Sequence, residues 1–264
     1  MAARPEGTPV WTDAMFTDAR GAKTFYADVL GWTFGEEATE FGNYTQAYKD
    51  GKAVAAIVPP MPGGDAPPQS AWCLYFASDD VAATAEKIRT AGGTLLMEPM
   101  RVGDFGSMCI ARDPSGVVFG LWQAGVHEGF ELEGEPGSFV WAEVFTREPE
   151  KSDAFFTSVF GYRARRMTGD MDYKVFDFGA DPLLGRMRMA PEDFPPDVPN
   201  HVQVYFAVDN CDLAVDTALS LGGRKAFGPM DSPFGRFATL LDTQGAVFAV
   251  IDVRTTVGEM PPME

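Results

Sequence analysis

Val10-Trp11-Thr12-Asp13-Ala14-Met15-Phe16-Thr17-Asp18, running through Phe25-Tyr26 to Gly31-Trp32, decides the fold because the chain writes it twice. Val140-Trp141-Ala142-Glu143-Val144-Phe145-Thr146 leads through Phe155-Phe156 to Gly161-Tyr162, so Trp141 stands 130 residues after Trp11. Each copy reads as a short strand, an acidic or proline-containing helix start, one amphipathic helix and a glycine stop. Asp18 is placed to cap the free N–H groups of the first helical turn. Ala22, Phe25, Tyr26, Val29 and Leu30 then share one face, and Gly31 ends the helix.

Working outward, Gly42 to Lys49 and Ala53 to Val58 read as strands joined at Asp50-Gly51, a pair suited to the positive φ angles of a tight hairpin. Pro59 to Gln69 is a Pro- and Gly-rich surface loop. Trp72 to Ser78 is a strand, Asp79-Asp80 a cap, and Val81 to Ala91 a helix closed by Gly92-Gly93. Thr94 to Met97, Ser107 to Arg112 and Val117 to Trp122 are strands, the last two linked by Asp113-Pro114-Ser115-Gly116 in the pattern of a type I turn. One half therefore reads β-α-β-β-β twice.

Ala124 to Ser138, glycine-rich and acidic, is the expected linker, with His127 solvated in it. The second half repeats the plan: Tyr173 stands for Tyr44, Tyr205-Phe206 for Tyr75-Phe76, Asp242 for Asp113 and Phe248 for Phe119. The expectation is an α+β protein of two tandem domains, residues 1–123 and 139–264, each burying a core of its own.

Lys and Arg total 21 against 38 Asp and Glu, a formal charge of −17 that repels nucleic acid and anionic membranes. A cationic, aromatic or neutral small molecule is the expected partner, although a solubilising acidic surface is the plainer account of the charge. No apolar run approaches the ~20 residues of a membrane span. Met1 to Gly7 lack the apolar segment of a signal peptide, and three cysteines without a CxxC indicate neither a disulfide framework nor a zinc site, so a cytoplasmic setting is expected.

Phe25-Tyr26 with Leu30-Gly31-Trp32, the Glu86-Lys87-Ile88-Arg89 helix ending in Gly92-Gly93, and Asp113-Pro114-Ser115-Gly116 before the last strand recur once per half. In this order they resemble the glyoxalase, bleomycin-resistance and dihydroxybiphenyl-dioxygenase group, the vicinal oxygen chelate superfamily. The resemblance implies a curved open barrel of paired β-α-β-β-β modules in each domain, enclosing a ligand cavity. In metal-using members, His, Gln or Glu on the first, fourth, fifth and eighth strands hold a divalent ion.

Carried over position by position, the first-strand site falls on Trp11 and Trp141, the fifth on Cys73 and Gln203, and the eighth on Gly120 and Ala249. The fourth lies near Ala56 and near Arg188. Trp, Gly and Ala cannot ligate, and Arg carries the wrong charge, so no metal and no cofactor are expected.

Strand alternation keeps Trp11, Asp13 and Met15 on one face, and Trp141, Glu143 and Phe145 on its copy. A carboxylate beside a large aromatic is partly desolvated and can act as a general base or bind a cation. The plainer alternative is a solvated acid at a strand end. His201, Gln203 and Tyr205 share a strand face, and Glu143 with His201 is the expected proton-transfer pair; an exposed loop histidine is the alternative.

Cys73 is expected to be an inert thiol, in a set with Tyr75. Trp11, Trp72, Trp122, Trp141, Tyr44 and Tyr173 suggest an aromatic-lined pocket, although core packing accounts for them equally. Three functions follow: a metal-independent enzyme using Glu143, His201 and Asp13, a binding or sequestration protein, or a metal enzyme with unusual ligands. The chain is expected as a monomer or homodimer.

Overall fold

The computed structural model describes residues 4–60, 70–179 and 181–264, so the expected loop at 59–69 lies, from residue 61 on, outside the described residues. The first half runs β1 (Pro9–Met15), α1 (Ala19–Leu30), β2 (Thr33–Phe34), β3 (Thr45–Lys49), β4 (Lys52–Val58), β5 (Ala71–Ala77), α2 (Val81–Thr90), β6 (Thr94–Val102), β7 (Gly106–Arg112) and β8 (Val118–Ala124). The second repeats it as β9 (Phe139–Thr146), α3 (Pro149–Phe160), β10 (Arg163–Arg166), β11 (Tyr173–Phe178), β12 (Asp181–Arg188), β13 (His201–Ala207), α4 (Cys211–Ser220), β14 (Arg224–Ser232), β15 (Gly235–Leu241) and β16 (Val247–Asp252). Each half is a curved, open, eight-stranded mixed sheet with two helices, in the order β2-β3-β4-β1-β5-β8-β7-β6 and its copy β10-β11-β12-β9-β13-β16-β15-β14.

The local signals act as their chemistry dictates. Asp18 accepts from Gly21 N, and Gly31 ends α1 in the left-handed region at φ 71°. Asp50 and Gly51 both take positive φ in the β3–β4 hairpin. Two boundaries move. The strand expected from Gly42 begins at Thr45, because Gly42 and Asn43 both have positive φ and form a turn. The strand expected to end at Met97 runs to Val102, since β6 is an edge strand, where Pro99 needs no ladder N–H on its free side.

The two halves do not bury separate cores, contrary to the expectation. Alternation puts Thr12, Ala14, Leu74 and Phe76 on the packed face of the first sheet, and one continuous cluster joins that face to its counterpart. Phe76 and Phe119 meet Phe156 and Phe160 of α3 at ring separations of 5.3–6.3 Å, while Phe248 of β16 meets Phe25 and Tyr26 of α1 at 6.1 and 5.3 Å. Each half's first helix thus lies on the other half's last strand. Trp72 belongs to this core, 5.1 Å from Phe206, and not to a ligand pocket, because it stands one residue from Cys73 and so on the opposite face.

Polar bonds cross at the same places. Asp242 closes its own turn by accepting from Gln244 N and Ala246 N, and also accepts from the Tyr26 hydroxyl of the other half at 2.9 Å. Asp113 repeats this with Ser115 N, Val117 N and the Ser152 hydroxyl.

The expected linker is docked. Phe130 N donates to Val10 O, Glu131 N donates to Ala53 O, and the Phe130 ring stacks on Phe139 at 4.8 Å.

This packing predicts that Phe156→Ala, which removes a ring from between the sheets, costs about 3–5 kcal/mol. Both halves are expected to unfold in one transition. Urea titrations followed by fluorescence, with four of the five tryptophans in the first half, and by circular dichroism check this; two separate midpoints would contradict a shared core.

Candidate functional site

On the face of each sheet turned away from the helices, the register sets two rows of side chains. Asp13 of β1 lies between Ala56 of β4 and Cys73 of β5; one rung away Trp11 faces Tyr75, which neighbours Gly120 of β8. In the second half Glu143 lies between Gly185 and Gln203, and Trp141 faces Tyr205, which neighbours Ala249. Cys73 is therefore level with Asp13, and the positions that the resemblance assigns on the first and fifth strands, Trp11 and Cys73, are not directly opposite each other. Counting from the helices measures distance along one strand and does not see the pairing between two. The fourth-strand position of the second half is likewise Gly185; Arg188 sits level with Thr146 and is mostly exposed.

Tyrosines hold both carboxylates. Glu143 is 9% exposed, and its Oε1 and Oε2 accept from the hydroxyls of Tyr173 at 2.7 Å and Tyr205 at 2.6 Å. Burial raises its pKa; the tyrosine hydroxyls and the Trp141 indole offset part of that rise. Tyr205 in turn accepts from Gln203 Nε2 at 2.9 Å, an amide that also reaches Thr239 Oγ1 at 3.3 Å, and Trp141 Nε1 donates to the Tyr173 hydroxyl at 3.3 Å. Burial and the adjacent carboxylate keep both phenols far above their ordinary value, hence protonated.

The first half has the same parts on a looser plan. The Tyr75 hydroxyl donates to Asp13 Oδ1 over 3.3 Å, and Trp11 Nε1 donates to the Tyr44 hydroxyl at 2.6 Å. Burial raises Asp13 to about 7, offset in part by the hydroxyls of Tyr75 and Tyr44. An edge of Asp13 remains accessible, although protein encloses it closely enough to desolvate the carboxyl. Burial, with the charge of Asp13, pushes the Cys73 thiol well up, so it is a protonated lining group and not a nucleophile.

The space that an acidic ligand on the eighth strand would need is filled by phenol. A Cβ on Gly120 would stand 2.2 Å from the Tyr75 ring, and Ala249 packs under Tyr205. A Cβ on Gly185 would lie 2.2 Å from the Tyr173 hydroxyl. Among the described residues no three His, Cys, Asp or Glu side chains come together as a metal site. Both oxygens of Glu143 already accept from O–H donors, so the donor set does not fit a divalent ion.

The structure does not bring the expected pair of Glu143 and His201 together. His201 faces Phe145 across the strands, stacks on its ring at 5.1 Å, and sets Nδ1 2.9 Å from Pro199 O. Burial lowers its pKa, which keeps it neutral. His127 is not solvated as expected. Its ring sits 4.5 Å from Trp11 and 5.5 Å from Trp122, its carbonyl accepts from Trp122 Nε1, and its buried Nε2 has no hydrogen-bond partner. The sequence reading missed the tyrosines as holders of the acids. The signal was present, since Tyr75 recurs as Tyr205 at the 130-residue spacing by which Asp13 recurs as Glu143, and Tyr44 recurs as Tyr173 one residue short of it.

Residues 9–121 and 138–250 each match the model of the glyoxalase/bleomycin resistance protein/dioxygenase superfamily. The chain is 38% identical over 251 residues to a Mycobacterium tuberculosis protein named "Putative glyoxylase CFP32", covering 93% of this chain and 95% of that one. It is 36% identical over 262 residues to the anthracycline biosynthesis protein DnrV of Streptomyces peucetius, covering 94% of each. Its fold is shared with a Mn(II)-bound glyoxalase from Novosphingobium aromaticivorans, at TM-score 0.65, 17% identity and coverage of 97% and 87%. It is shared equally with the 2,3-dioxygenase LapB from Pseudomonas sp. KL28, at TM-score 0.66, 13% identity and coverage of 98% and 95%. The chain belongs to the glyoxalase/bleomycin resistance protein/dioxygenase superfamily and carries its domain twice.

Proposed function

We propose that the protein is a metal-independent enzyme that moves a proton on an organic carbonyl compound bound to the open face of a sheet. The observation that supports this most is the repeated centre: a desolvated carboxylate under two protonated tyrosines, where family members are expected to bind their ligands. A carboxylate raised toward neutrality is a base matched to neutral pH. It would take the proton from the carbon next to the carbonyl; the C–H electron pair would become the new C=C bond as the carbonyl pair moves onto oxygen. A tyrosine hydroxyl turning from the carboxylate to that oxygen would stabilise the enolate, and return of the proton at another atom would give an isomer. The indoles of Trp11 and Trp141 supply flat apolar surface beside the acids.

The relatives named for a glyoxylase and for anthracycline biosynthesis favour a carbonyl-bearing small molecule. No helix among the described residues is long and apolar enough to cross a membrane. A second reading, ligand binding without turnover, draws on the closed hydrogen bonding of Glu143, which needs no reaction to explain it.

Exchange of carbonyl-adjacent hydrogens with D2O, followed by proton NMR over a panel of enolisable ketones and aldehydes that includes an anthracycline, tests the reading. Glu143→Gln or Asp13→Asn is expected to slow exchange by about 10²-fold or more. Wild-type exchange in both variants would sink the assignment, and saturable binding with no exchange would favour the second reading.

Asp13 also sets a pH dependence of stability. The folded protein holds this proton up to about pH 7, whereas the ordinary value is 3.8, so protonation favours folding between them. Stability is expected to fall as pH rises from about 4 to about 7, with the cost complete above that. A rise of about 3 pH units corresponds to about 4 kcal/mol. Asp13→Asn should therefore raise the melting temperature more at pH 8 than at pH 5; equal shifts at both would refute the raised affinity.

A further inference from the structure

Two adjacent residues of β12 act on opposite faces of the second sheet. Gly185 is level with Glu143 and leaves the space into which the Tyr173 hydroxyl reaches. Arg186 turns to the other face and is 1% exposed. Its Nε and Nη2 donate to the two oxygens of Asp153 on α3 at 2.9 and 3.2 Å. Its Nη1 donates to the Asp172 carbonyl at 2.9 Å and to Asp172 Oδ1 at 2.7 Å. Asp172 immediately precedes Tyr173, whose hydroxyl holds Glu143. A buried guanidinium with each edge engaged is a rigid fastening, since its planar fork fixes direction as well as distance.

The first half lacks this device. Register and repeat place Ile57 where Arg186 stands, Asn43 for Asp172 and Lys23 for Asp153. There Tyr75 holds the acid over 3.3 Å, with the Tyr44 hydroxyl also acting on it, against 2.7 and 2.6 Å at Glu143. We propose that Arg186 is a positioning residue that ties the segment before β11 to α3, so that Tyr173 stays on Glu143 and the second half carries the fixed site of the two. This rests on Glu143 being a site residue, but its test is read on the resting protein and needs no turnover, so the two readings fail separately.

The charged and titratable groups around Glu143 are Tyr173 on β11, Tyr205 and, two residues before Gln203, His201 on β13, and Arg186 behind β12, itself paired with Asp153 and Asp172, which also meet Lys174 and Arg188. In protein labelled with ¹³C-glutamate, the Glu143 carboxyl signal is assigned by its loss in Glu143→Gln and followed through a pH titration. Arg186→Lys keeps the charge but cannot bridge both aspartates, and losing the Tyr173 bond is expected to raise the Glu143 midpoint by about one pH unit, tenfold in proton affinity.

Asp172→Ala, which leaves the carbonyl bond, is expected to move it the same way by about threefold. A simple charge effect predicts the opposite, because an anion has been removed. Tyr173→Phe should give the full shift, with no further change when Arg186→Lys is added. A wild-type Glu143 titration in folded Asp172→Ala protein overturns the proposal, even where Arg186→Lys does not fold.

Discussion

The open faces are free to carry chemistry because the packed faces are closed against each other. A curved mixed sheet with two short helices cannot cover its apolar side. The duplication answers this by laying each first helix on the other copy's last strand, where Phe119 meets Phe156 and Phe248 meets Tyr26. The turn aspartates Asp113 and Asp242 lock that exchange, since each satisfies its own turn and a helix from the opposite half. Burying those carboxylates without partners would cost several kcal/mol. Their placement therefore specifies one mutual orientation of the halves, and with it the two outward-facing rows of side chains.

On those rows the governing quantity is the free energy of a carboxylate out of water. Desolvation alone would drive the proton on, and neutral hydrogen-bond donors pull the other way without adding charge. Glu143 has two short donor bonds, Asp13 a longer one from Tyr75 with Tyr44 also acting on it, and the proton affinity of Asp13 is raised to about 7. The same phenols explain the small residues nearby. Gly120 and Gly185 leave room for a ring and for a hydroxyl, so the volume that a third and fourth metal ligand would occupy is filled by the groups that hold the acid.

Most of the fold was legible because its signals are local and repeated. Caps at Asp18 and Asp80, the Asp50-Gly51 hairpin and the glycine stops each act within a few residues. Strand alternation likewise set Asp13 and Glu143 on the face with Trp11 and Trp141. What escaped was non-local. The pairing of Cys73 with Asp13 depends on strand register, the shared core on the relation between halves, and the burial of His127 on where a polar-looking linker docks. His201 was misplaced because sharing a strand face with Gln203 does not carry a side chain across the rung to Glu143, whose oxygens were already taken.

The two copies now share a backbone and differ in what braces the acid. Ile57 packs apolar surface where Arg186 spans two aspartates, and Ile110 stands where Thr239 accepts from the glutamine that donates to Tyr205. Each polar replacement in the second half adds a fixed partner to a tyrosine or to its neighbour, and none adds a charge in contact with Glu143 itself. Fixing donors without placing a cation beside the acid leaves desolvation as the largest influence on its proton. A carboxylate held in this way has a defined direction and an affinity that is raised but moderated. In the first half, fewer constraints on the donors leave a shorter acid with an accessible edge and a proton affinity raised to about 7. Divergence between the duplicated halves has thus acted through the neutral donors around each acid, with burial raising the proton affinity of both.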